Sequence, residues 1–152
     1  TSGGALFQVD LTAGFDVTDE LYLGVNATYN GTAAGEIVKG TSIDDLDGDA
    51  NSFFGFAGYA QYAFSDAFAL GVRGEYFGEG NGGYGSIGSY DDSLDASMFA
   101  MTLSGNISIG DNLTLIPEFR VDVASEDDVF ENTSLEPTSS LTSFLLAAVY
   151  SF

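Results

Sequence analysis

Two arginines and four carboxylates are the side chains of this sequence best spaced to do chemistry together. Arg73 and Arg120 are its only arginines, and Lys39 is the third and last basic residue. Glu75 follows Arg73 by two positions, Arg120 lies between Glu118 and Asp122, and Asp10 takes a comparable place near the start. In a strand, residues two apart share a face. Asp10, Arg73, Glu75, Glu118, Arg120 and Asp122 are therefore candidates for a charged ladder. Bordering water, such a ladder sets the field felt by a permeating ion; enclosed in a narrow interior, it is a salt-bridge network that fills space. A second group, Asp45-x-Asp47-Gly48-Asp49-x-Asn51, alternates oxygen donors around a glycine, as a hard cation such as Ca²⁺ requires. No glutamate stands at the twelfth position of that run, and an acidic solvated loop is the plainer reading of Asp45, Asp47 and Asp49.

The composition removes most other chemistry. The chain has 152 residues without a single His or Cys, so the commonest general base, the commonest metal ligand and thiolate chemistry are all missing. A Ser–His–Asp arrangement cannot be assembled. Hydrolysis by a carboxylate pair such as Glu75 and Glu118 remains formally open, but nothing in the pattern favours it, and no enzymatic activity is expected. Three basic against 23 acidic residues, a net charge of −20, leave nothing to neutralise phosphates, so nucleic acid is excluded as a partner. At 45% hydrophobic and 14% aromatic, the chain is nevertheless too apolar to read as a disordered acidic segment. Its length suits one domain, residues 1–152, or a portion of one.

The elements that must position the ladder have a period of two almost throughout. Ala5 to Thr18 places Phe7, Val9, Leu11, Ala13 and Phe15 opposite Gln8, Asp10, Thr12, Gly14 and Asp16. The same alternation returns over Leu21–Asn30, from Phe54 to Phe64, over Phe68–Phe77, Phe99–Ile109, Leu113–Val123 and Ser143–Phe152. Seven strands are predicted. No apolar run approaches the ~18 residues of a membrane-spanning helix, and the opening residues lack the basic-then-apolar pattern of a secretory signal. Short turns are expected at Thr18–Glu20, Ser65–Ala67 and Gly110–Asn112, and long polar loops at Gly31–Asn51, Gly78–Asp92 and Glu126–Ser139. Short connections at one end and long acidic ones at the other describe an antiparallel up-and-down meander.

Which face meets which solvent separates two readings. A soluble sandwich would turn the apolar face inward and carry Lys, Glu and Arg outside; here the second face is rich in Gly, Ala, Ser, Thr and Asn. Aromatic residues gather at strand ends, with Phe15, Phe64, Phe68, Tyr150 and Phe152 near the short turns. Phe7, Tyr29, Phe54, Tyr76 and Phe144 lie near the long loops. Rings prefer the headgroup level of a bilayer, and each alternating stretch is about the ~10 residues a tilted strand needs to cross one. An all-β transmembrane barrel is therefore expected, with apolar side chains in lipid and the polar face lining a lumen. Pro117, on the apolar face within a strand, is the discordant residue, since it removes a ladder donor.

The ending Phe144-x-Leu146-x-Ala148-x-Tyr150-x-Phe152 resembles the C-terminal signal of bacterial outer-membrane β-barrels. Gly58–Tyr62 through Phe68–Phe77, and Asn112–Asp122, resemble the OmpL-like β-barrel porins. The resemblance implies residence in the bacterial outer membrane, contact with lipid and lipopolysaccharide, and delivery to the barrel assembly machinery through Phe152. Further copies of the chain are an open alternative as partners, and divalent ions could bridge the acidic loops to lipopolysaccharide phosphates. Seven strands do not satisfy the even count of bacterial single-chain barrels. The expectation is thus an eight-stranded barrel with one unread strand near Glu36–Lys39, or the C-terminal part of a larger barrel. The function expected is porin-like passive diffusion of small solutes or ions, without cofactors. The alternatives are a non-conducting barrel whose acidic loops serve partner binding or envelope structure, and a secreted acidic β-sandwich.

Overall fold

The computed structural model describes residues 5–32, 51–80, 87 and 96–152. Their elements are β1 (Leu6–Asp16), β2 (Leu21–Thr32), β3 (Asn51–Ser65), β4 (Phe68–Gly80), β5 (Ser97–Ile109), β6 (Leu113–Ala124), β7 (Phe130–Glu131), β8 (Pro137–Thr138) and β9 (Ser140–Tyr150). The seven long strands form one antiparallel sheet in the order β1-β2-β3-β4-β5-β6-β9. Each long strand pairs with its neighbour in sequence, the up-and-down meander that the alternating loop lengths predict. β2, β3 and β4 run further into the long-loop end than the sequence suggests, to Thr32, from Asn51 and to Gly80. The β7–β8 ribbon, inside the stretch read as an irregular loop, was not legible in the alternation.

Turn chemistry accounts for the short connections. The Thr18 hydroxyl accepts from the amides of Glu20 at 3.2 Å and Leu21 at 3.1 Å, while Gly110 takes φ +62°, where a Cβ would be strained. Between β5 and β6 the register is interrupted from Ser104↔Glu118 to Ile107↔Leu115. Pro117 lies in that gap. Its other edge pairs without a break to Leu146, so the missing amide faces β5, and Gly105 leaves room there for the ring: a Cβ at Gly105 would stand 3.3 Å from the Pro117 Cγ.

The two faces of the sheet invert the burial of a soluble protein. Phe56 (56%), Leu70 (36%) and Leu146 (58%) are exposed, as are most large apolar side chains, whereas Ala100, Thr102 and Asp122 on the opposite face are buried. Among the described residues no second sheet covers the apolar face, so the structure gives no support to a sandwich. Aromatic pairs sit at both ends of the apolar face: Phe64 stacks on Phe68 with centroids 5.6 Å apart near the turns, and Phe54 lies 6.0 Å from Tyr76 near the loops. Among the described residues no helix is long and apolar enough to cross a membrane. β1 and β9 form the two edges and run in the same direction, from the loop end to the turn end. They therefore cannot pair antiparallel with each other, and the sheet is open.

Candidate functional site

The register arranges the polar face in rows perpendicular to the strands. One row reads Gly14, Gly24, Tyr59, Arg73, Thr102, Arg120 and Ser143 from β1 to β9. The next row toward the loops reads Thr12, Asn26, Ala57, Glu75, Ala100, Asp122 and Leu141. Both arginines thus stand in one row, and a carboxylate stands beside each in the adjoining row.

These four side chains form a continuous chain of ion pairs. Arg73 Nη2 meets Glu75 Oε1 at 2.8 Å, Arg120 Nη1 meets Glu75 Oε2 at 2.6 Å, and Arg120 Nη2 meets Asp122 Oδ1 at 2.8 Å. Arg120 Nε also donates to both Asp122 oxygens, at 2.9 and 3.1 Å. The fork-like contact fixes the guanidinium as a single point charge would not. Glu75 and Arg120 reach each other across the whole width of β5, a span of about 10 Å between strand axes. Small side chains make this bridge possible: Ala100 and Thr102 are the β5 residues of these two rows, both buried, and Arg120 Nη1 also donates to the Thr102 hydroxyl at 3.4 Å. Thr102 and Ala100 carried no separate signal in the sequence beyond falling on the polar face.

The remaining candidates lie apart from this network. Asp10 is on the same face but three strands away, accepting from Gln8 Nε2 at 2.8 Å. Glu118 is one row nearer the turns, level with Ser104, and engages none of the described residues. Asp45, Asp47 and Asp49 lie outside the described residues, as does the segment around Glu36–Lys39. Among the described residues no three His, Cys, Asp or Glu side chains gather as metal ligands do.

Sequence reasoning placed Tyr22 and Tyr59 on the polar face without giving them a role. In the structure their rings stack, with centroids 6.1 Å apart. Each reaches over a glycine of the preceding strand: a methyl at Gly14 would overlap Tyr22, and one at Gly24 would overlap Tyr59. The available signal was the pairing of a large ring with glycine at alternate positions of neighbouring strands.

A polar, ion-paired face backed by an apolar face open to its surroundings is the pattern of a transmembrane β-barrel wall. Residues 1–152 match the family described as "Putative beta-barrel porin-2, OmpL-like". The chain belongs to this family. Among solved structures, this OmpL-like porin is similar to one described as "NanC porin structure in rhombohedral crystal form", with 14% sequence identity and a TM-score of 0.60. The alignment covers 100% of this chain and 67% of that one, and at such identity the likeness is one of fold. No curated protein matches the chain. Family, fold and the inverted faces agree on a β-barrel porin-like protein whose apolar face meets lipid.

Proposed function

We propose that this OmpL-like porin is an outer-membrane channel for passive diffusion of small solutes, with a preference for cations, and that it turns over no substrate chemically. The observation that carries the reading is the ion-pair chain Arg73–Glu75–Arg120–Asp122 on the polar face. Within that chain two positive and two negative groups cancel. The polar face of the same sheet also carries Asp10, Asp16 and Glu118 with no further basic residue among the described residues, so the surplus field is negative and should enrich cations.

In this reading the paired arginines hold carboxylates in place and prevent a purely anionic wall from trapping the ions it attracts, since conduction needs binding weak enough for exit. The short turns face the periplasm and the long acidic loops face outward. Lipid surrounds the apolar face, and lipopolysaccharide, bridged by divalent ions, meets the loops. The strand ending at Tyr150, followed by Phe152, is the recognition element for the assembly machinery.

Planar-bilayer recording on the protein extracted from membranes tests the function. A salt gradient should give a reversal potential of the cation-selective sign, and Glu118→Gln should move it toward zero. Anion selectivity would overturn the preference. A reconstituted protein without conductance would overturn the channel and leave the envelope-structure alternative.

A further inference from the structure

Beside the ion-pair chain, on its turn-side flank, the polar face carries a notch of about 430 Å³. Its floor is Gly71, and its rim is formed by Tyr22, Tyr59, Gln61, Arg73 and Ser104. The register explains the recess: Tyr22, Gln61, Gly71 and Ser104 are cross-strand neighbours in one row, so the missing side chain of Gly71 leaves a gap between an amide and a hydroxyl. A Cβ at Gly71 would already reach the Ser104 Oγ at 3.0 Å.

The rim is chemically mixed in a specific way. The rings of Tyr22 and Tyr59, inclined at 30° to each other, border the notch on the β2–β3 side. Opposite stand planar donors. Arg73 is 46% exposed and gives one nitrogen to Glu75, and its other N–H groups meet no partner among the described residues. The Gln61 amide and the Ser104 hydroxyl are also without partners among the described residues. An aromatic surface facing a few convergent polar groups is the general form of a small-molecule site. A ligand that matches it needs an apolar face to lie on the rings and a rim of hydroxyls to accept from guanidinium and amide while exchanging bonds with serine. It needs no net charge, because Glu75 already neutralises Arg73.

We infer that the notch over Gly71 is a lumenal subsite for a neutral pyranose sugar, held by its C–H face against Tyr22 and Tyr59 and by its hydroxyls on Arg73, Gln61 and Ser104. The inference rests on the channel reading only in that the polar face must be wet and open to solutes. Binding in the cavity does not require conduction.

The test is saturation-transfer NMR on the detergent-solubilised protein with methyl β-glucopyranoside as probe and the acyclic polyol sorbitol as control. The pyranoside should saturate with a dissociation constant of order millimolar, and sorbitol should bind at least about tenfold more weakly because it has no ring face to stack. Tyr59→Leu should weaken pyranoside binding about fivefold, the loss of roughly 1 kcal/mol of ring contact. Gly71→Val fills the notch while leaving the rings in place, and should abolish binding in protein whose heat-modifiable gel migration shows an assembled barrel. Equal binding of sorbitol, or retention of pyranoside binding in assembled Gly71→Val, overturns the subsite. Absence of pyranoside binding by the wild-type protein overturns it equally, even if the protein conducts. Binding by a protein that does not conduct upholds the subsite and defeats the channel instead.

Discussion

The inner wall has two halves built on different physics. From β1 to β3 it makes no ion pair among the described residues and is held by amides, hydroxyls and rings: Asn26 Nδ2 donates to the Thr12 hydroxyl at 2.8 Å, Asn30 Nδ2 to Gln8 at 3.2 Å, and two tyrosines cover two glycines. From β4 to β6 it is held by charge, with Arg120 locked between two carboxylates and Arg73 paired to one of them. The first half loses little if one bond is removed, because each bond is local and its partners can turn to water. The second is a single connected unit, and removing its centre, Arg120, leaves Asp122 uncompensated and Glu75 with Arg73 alone.

The comparison presumes that both halves face inward, and the sharpest way to break it is to charge each face at one depth. Leu70→Arg, on the apolar face between the turn-side aromatic level and the midplane, should lower unfolding stability in lipid vesicles by about 1–3 kcal/mol. Asn106→Arg projects from the opposite face beside Gly105, the residue paired with Leu70, and should change stability by less than about 1 kcal/mol. Equal costs would mean that the apolar face is not in hydrocarbon.

Within the charged half, Arg120→Met should destabilise by about 2–3 kcal/mol, below the usual range for breaking a buried ion pair because one side of the network is wet. Asp122 is the reason for the size of the loss, since its side chain is only 8% exposed. Urea titration of Arg120→Met with Asp122→Asn should recover part of it. If the double variant is no more stable than the single one, an uncompensated carboxylate is not the cause.

In the β1–β3 half the largest effect should come from geometry. Gly24→Ala pushes a methyl into the Tyr59 ring and should cost about 1–2 kcal/mol. Combined with Tyr59→Ala the two losses should be less than additive in the same titration, and strict additivity would show that ring and glycine are not in contact. The smallest effect is expected for Arg73→Gln, under about 1 kcal/mol, because this arginine is half exposed and makes one ion pair. A loss matching that of Arg120→Met would erase the distinction between the end and the centre of the network.

Strand positions and faces were readable because alternation is a direct image of a two-sided element. Asp10, Arg73, Glu75, Glu118, Arg120 and Asp122 were all placed on the polar face by parity alone, and the structure puts them there. Parity says nothing of register, so it could not show that Glu75 reaches Arg120 across β5 or that Asp10 stands three strands away. Pro117 looked discordant because a sequence shows the missing donor and not the glycine opposite it. The inner face of β9, with Leu141, Leu145 and Val149, departs from the polar character of the other strands, and nothing in the structure explains it.

Residue types in alternation, by themselves, determined an antiparallel meander with one lipid-compatible face, one polar face and no His- or Cys-dependent chemistry, because side-chain period and functional-group inventory are properties of the chain. Tertiary structure alone decided which polar residues act together. Pairing register converts separations of tens of residues into contacts under 3 Å, as for Glu75 and Arg120, and no local pattern carries that information.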